Sequence, residues 1–133
     1  MTITRINPEQ LHTPPGYHHV TLVESRRLLL LAGQSPIDRS GSLVGLDDVD
    51  AQVDQVASNA LAALSAAGAG PEHVVRAVIY VVTDDQAVLA SVWRRLMASA
   101  IAPALTSAST LLGVARLGFI GQLVELELTA ALD

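Results

Sequence analysis

From Gln122 to Leu132 the chain alternates: Val124, Leu126, Leu128 and Ala130 fall on one side of an extended segment, Glu125, Glu127 and Thr129 on the other. That period of two marks a strand with one buried face. His73 to Thr83 is rich in β-branched residues and reads as a buried strand, and Thr106 to Val114 as another. Near the start, Ile3 to Ile6 predicts a short edge strand. Tyr17 to Val23 and Leu28 to Gln34 flank the polar turn Glu24-Ser25-Arg26-Arg27, a pattern that predicts a hairpin. Two stretches change to helical spacing. Val49, Val53, Val56, Ala60, Leu64 and Ala67 share one face after a cap at Asp47 or Asp48, and Gly68 stops the helix, with Gly70-Pro71 barring its return. Asp84 or Asp85 caps a second helix reaching about Ile101, with Leu89, Val92, Trp93 and Leu96 on its apolar side, and Pro103 ends it. Pro8, Pro14, Pro15 and Gly16 form an irregular loop, as does Ser35 to Gly45.

The order β-β-β-α-β-α-β-β over residues 1–133 predicts one α/β (α+β) domain, with both helices covering one face of a single mixed sheet. The helices take the side of Val124 and Leu126 and leave Glu125 and Glu127 on the open face. If that face is solvated, the two carboxylates are ordinary surface groups. If it packs against another subunit they lie in a cleft, where a carboxylate must be paired or hydrogen-bonded. Half of the residues are apolar and mean hydropathy is +0.42, yet no apolar run approaches the length of a membrane span. A small chain this apolar is expected to bury surface against copies of itself.

Charge and residue choice narrow the chemistry. The formal net charge is −5, the eight cations are all arginine, and they form no basic run, which argues against nucleic acid as a partner. Without lysine there is no Schiff-base chemistry on a lysine amine. Without cysteine there are no thiol nucleophiles, thiolate metal sites or disulfides. The N-terminal residues lack the apolar core of a signal peptide, so the default expectation is a cytoplasmic protein. No cofactor is expected. His18 and His19 are neighbours in a strand and point to opposite faces, so they cannot chelate one ion within a chain, and no metal site is expected. By parity His19 shares the face of Tyr17, where it could act as acid or base near neutral pH. Gly68-Ala69-Gly70 ends a helix and is not a phosphate loop.

Several stretches, in order, resemble the reactive-intermediate-deaminase (Rid) family. They are Gly16-Tyr17; Ala32-Gly33-Gln34-Ser35-Pro36; Asp50, Gln52, Gln55 and Asn59 with Ala66-Ala67-Gly68; Val74 to Val81; and Leu123-Val124-Glu125-Leu126-Glu127. The resemblance implies a chorismate-mutase-like fold, a homotrimer with clefts between subunits, and a small-molecule ligand. It also implies hydrolysis of enamines and imines to 2-oxo acids and ammonia. It gives Tyr17 and Glu125 catalytic roles, joined by His19 from the residue reading, and makes Ser109, Thr110, Gly33 and Gln34 ligand-binding. The family's Pro-Ala-Arg-Ser/Thr motif falls on Ser107-Ala108-Ser109-Thr110, so Ser109 stands where the substrate-binding arginine would be. A guanidinium holds a carboxylate by two parallel charged hydrogen bonds that a hydroxyl cannot supply. Arg116, seven residues on, is not expected to replace it. The expectation is therefore an altered enamine or imine substrate without that carboxylate. Two alternatives stand beside it: a non-catalytic binding or regulatory trimer, and a pathway-specific lyase or isomerase using His19 and Glu125. Retention of both Tyr17 and Glu125 favours the first reading.

Overall fold

The computed structural model describes residues 1–133. The elements follow the expected order: β1 (Thr2–Ile6), β2 (Val20–Glu24), β3 (Arg27–Leu30), α1 (Val49–Ala66), β4 (Val74–Val82), α2 (Gln86–Met97), β5 (Ala108–Val114) and β6 (Val124–Leu132). The cap of α1 is Asp48, whose carboxylate accepts from the Ala51 N–H, while Asp47 takes a left-handed turn (φ 61°) just ahead of it. Asp85 caps α2 by accepting from the Ala87 N–H. That helix stops at Met97, short of Ile101, where the Ser99 hydroxyl bonds the Leu96 carbonyl at 2.7 Å and so competes with the backbone. Pro103 then lies in a short 3₁₀ turn, Ala102–Thr106.

The strands do not form the single sheet expected from the sequence. Four of them make a mixed sheet in the order β3-β6-β4-β5, with β5 parallel to β4, and β1 and β2 form a separate antiparallel pair. The expected hairpin between β2 and β3 is likewise absent. Only Ser25 and Arg26 separate the two strands, yet β2 pairs with β1 while β3 pairs with β6, Leu29 opposite Ala130. The long-range partner wins because β6 has an open edge and because Leu29 packs on the core from that position. Residues 17–19 are irregular backbone, and β2 begins only at Val20.

Both helices cover one side of the four-stranded sheet. Val53, Val56, Ala60 and Leu64 of α1 and Val92 and Leu96 of α2 are fully or almost fully buried, with Ile79, Val81, Leu126 and Leu128 of the sheet, in one cluster. The alternation in β6 is borne out, since Val124, Leu126, Leu128 and Ala130 are buried while Glu125, Glu127 and Thr129 face away from the helices. On that open side Leu28 and Leu30 of β3 are 63% and 72% exposed. No helix is long and apolar enough to cross a membrane.

One side of α1 is polar and still tied down. Gln52, with no exposed surface, donates from Nε2 to the carbonyls of Gly45 and Gly121, both at 3.0 Å, and accepts from the Leu123 N–H at 2.7 Å. Asn59 donates to the carbonyls of Ser35 and Ile37 and is itself held by Gln55 Nε2 at 2.8 Å. These amides fasten the Ser35–Gly45 loop and the turn before β6 to the helix. Replacing Gln52 by leucine strands three backbone groups in the interior. Gln52→Leu should lower the unfolding free energy by about 2–4 kcal/mol in a urea titration. A loss below about 1 kcal/mol would mean that water takes over the amide's bonds.

Candidate functional site

Glu125 lies in the middle of β6, opposite Tyr80 of β4, on the sheet face turned away from the helices. Its Oε1 accepts from the Ser35 hydroxyl and from Gln122 Nε2, each at 3.2 Å. Gln122 also reaches Ser35 Oγ at 2.9 Å, closing a three-residue network around the carboxylate. The loop that carries Ser35 is laid along β6 by reciprocal backbone bonds between Gln34 and Leu126, 2.7 and 3.1 Å. This brings Gly33 against the other carboxylate oxygen. A Cβ at Gly33 would stand 2.5 Å from Glu125 Oε2. Gly33 and Gln34 thus serve Glu125 through backbone and space, since the Gln34 side chain bonds the Ala32 carbonyl instead.

On the same open face Tyr80 donates to Glu127 Oε1 at 3.2 Å. Burial first, then the carboxylates of Glu127 and Glu125, push this phenol above its ordinary value of 10.0. Thr110 is on this face too, level with Val78 and Glu127, and its hydroxyl accepts from Arg76 at 3.3 Å.

A second group forms on the opposite side. Ser109 pairs with Ala77, which pairs with Leu128, so its side chain points to the helices. With Tyr17, Trp93, Leu89 and Leu111 it lines a cavity of about 460 Å³ between the N-terminal loop and α2. The loop gets there by a turn at Gly16 (φ 109°), where a Cβ would meet Met97 at 2.9 Å. Trp93 Nε1 then donates to the Pro15 carbonyl at 3.1 Å, and the Tyr17 and Trp93 rings meet edge to face. Ser109 spends its hydroxyl hydrogen on the carbonyls of Leu105 and Ser107.

His19 is beside Tyr17, ring centroids 5.8 Å apart, although the strand parity that suggested this does not apply to irregular backbone. The arrangement comes from His12. Its Nε2 bonds the Tyr17 hydroxyl at 3.1 Å, and its carbonyl bonds His19 Nε2 at 2.8 Å. His18 points elsewhere, to the Thr106 carbonyl. Arg116 lies in a different groove, with Val82 and Leu123, and does not approach Ser109.

The structure therefore brings Glu125, Gly33 and Gln34 together, and Tyr17, His19 and Ser109 together. Within one chain it leaves the two groups on opposite sides of the sheet, with Thr110 on the side of Glu125. Sequence reasoning missed Gln122, Ser35 and His12 as site residues. Ser35 lies inside the Ala32–Pro36 stretch that carries the resemblance, whereas nothing in the spacing of His12 marks it.

The sequence pattern of one family, endoribonuclease L-PSP, matches residues 10–132. Among solved structures, the Rid-family protein YyfB from Yersinia pestis is 37% identical over 99% of this chain and 100% of its own, with a TM-score of 0.90. The Rid-family protein YyfA from the same organism is 23% identical over 98% of this chain and 100% of its own, TM-score 0.69. Yeast YEO7 is 24% identical over 99% and 100%, TM-score 0.69. These last two show likeness of fold. No curated protein matches the chain.

The contact between Gly33 and Glu125 can be measured by a double-mutant cycle. Gly33→Ala should cost about 1–3 kcal/mol in the wild-type background, because the methyl group displaces the carboxylate. In a Glu125→Ala background most of that cost should vanish. Additive costs would mean that the methyl group clashes with something other than Glu125.

Proposed function

The chain belongs to the endoribonuclease L-PSP family as a Rid-like protein, and from that premise we propose that it hydrolyses a small enamine- or imine-type metabolite in a cleft between subunits. The observation that carries the reading is Glu125: a half-buried carboxylate, held by Ser35 and Gln122 and packed against Gly33, on a sheet face that no helix covers. In that position it takes a proton from water as the water adds to the imine carbon, and returns it to the departing amine, so that imine plus water gives carbonyl compound plus ammonia. Tyr17, hydrogen-bonded to His12 and flanked by His19, supplies a second acid–base group.

The division of these residues supports a shared site. A cleft between copies would set the Glu125 group of one subunit against the Tyr17 and Ser109 group of the next. Exposed Leu28 and Leu30 on the open face, and Ile6, Val20 and Leu22 on the outer side of the β1–β2 pair, supply apolar surface for such contacts. We take the assembly to be a homotrimer. The family's name is that of an endoribonuclease, but eight arginines against thirteen acidic residues favour a small molecule over a polyanion. Ser109 removes the cation that would fix a carboxylate next to the reacting carbon.

Ammonia release from freshly generated imines that lack an α-carboxylate should be accelerated by the protein, and Glu125→Gln should reduce that acceleration by about 10²-fold. In the same assay 2-aminoacrylate from a coupled dehydratase should be turned over poorly. Equal rates for wild type and Glu125→Gln would remove Glu125 from the chemistry and leave a binding protein. Light scattering at micromolar concentration should give three times the chain mass of 13.9 kDa, whereas a monomer would remove the shared cleft.

A further inference from the structure

The cavity beside Ser109 runs along one stripe of α2. Gln86, Leu89, Ala90, Trp93 and Arg94 all line it, at the spacing of a single helix face. Its volume, about 460 Å³, is in the range of small-molecule sites. The polar groups in the lining can be sorted by whether they are already committed. Trp93 gives its N–H to Pro15, Tyr17 is bonded to His12, and Ser109 gives its hydrogen to backbone carbonyls. Gln86 and Arg94 remain. They are eight residues apart on the helix, about 12 Å along its axis, with apolar side chains between them.

Arg94 differs from its neighbour. Arg95 is locked to Asp54 by two bonds of 2.8 Å and approaches Asp50 at 3.7 Å, tying α2 to α1. That guanidinium holds the Asp54 carboxyl below its ordinary range. Arg94 pairs with no acid, and no carboxylate lines the cavity. In a chain of net charge −5 this leaves one free cation at the end of an apolar trough. The wall is shaped for a flat group, since the Tyr17 and Trp93 rings stand at 86° with centroids 6.2 Å apart and form a corner that offers both a face and an edge.

We propose that this cavity binds a small acid with a flat apolar body, the acid held by Arg94 and the body seated against Trp93, Tyr17 and Leu111. The proposal rests on the ligand lying beside Tyr17 and Ser109, and not on the chemistry of Glu125. An acid bound in this way is anchored from the helix, by Arg94, and not from the strand position of Ser109.

Trp93 is the only tryptophan in the chain, so its fluorescence reports the cavity directly. Phenylacetate and its neutral isostere phenylacetamide serve as probes. The acid should perturb Trp93 emission saturably and bind about fivefold or more tighter than the amide, with the preference shrinking as salt is raised. Arg94→Gln should abolish the preference and keep the weak binding of the amide. Arg95→Gln should leave the preference intact. Equal affinities for acid and amide in the wild type, a preference that survives Arg94→Gln, or no saturable change up to millimolar probe would each overturn the proposal. The readout is binding without turnover. A protein that binds the acid but hydrolyses no imine would overturn the Glu125 reading alone.

Discussion

The fold depends on a side-chain amide in a dry place. Gln52 faces the interior from a helix whose other inward positions are valine, alanine and leucine, and it meets three backbone groups that belong to neither helix nor sheet. An unpaired amide there would be destabilising, and so would the backbone groups it satisfies. The arrangement therefore stands or falls as a unit. It fixes the start of β6 through Leu123, and with it the register that turns Glu125 outward. Asn59, two turns along, does the same for the loop that carries Ser35. The geometry around Glu125 thus rests on polar groups of α1, on the far side of the sheet from the carboxylate.

Much of the architecture was legible because it is periodic. The alternation in β6 predicted which side the helices cover, and the spacing from Val49 to Leu64 predicted the face that α1 buries. Both are local patterns read by a single neighbour, the core. The pairing of β2 and β3 was not legible for the opposite reason. A turn of two residues suggests a hairpin, but the choice of partner belongs to β6, which lies about a hundred residues further on and is not encoded near the turn. The helix end at Met97 was overrun because the serine that stops it looks, in sequence, like any polar surface residue.

The site shows the same division. Glu125 stood out on a polar face in an apolar chain, and family resemblance named it. Its partner Ser35 depends on a loop lying antiparallel to β6, and no spacing rule foretells that contact. Strand parity puts His19 beside Tyr17, but the irregular backbone does not obey it. The contact exists because His12 bridges the two. The resemblance sets Ser109 at the position of an arginine, and the register shows that it faces the helices while Thr110 faces the open side. One residue of offset decides which side of the sheet a ligand meets.

β6 is the last strand in the chain and an interior strand of the four-stranded sheet, with β3 on one side and β4 on the other. During synthesis, β3 and β4 must therefore wait with open edges until β6 has been made. Loop closure over such distances is entropically costly before any contact rewards it, so folding should be slow for a domain of this size. Until then Leu29 and the apolar residues of β4 are exposed next to unpaired backbone, the kind of edge on which chains aggregate. The strand that carries the candidate catalytic carboxylate is thus also the one that ends this vulnerable interval.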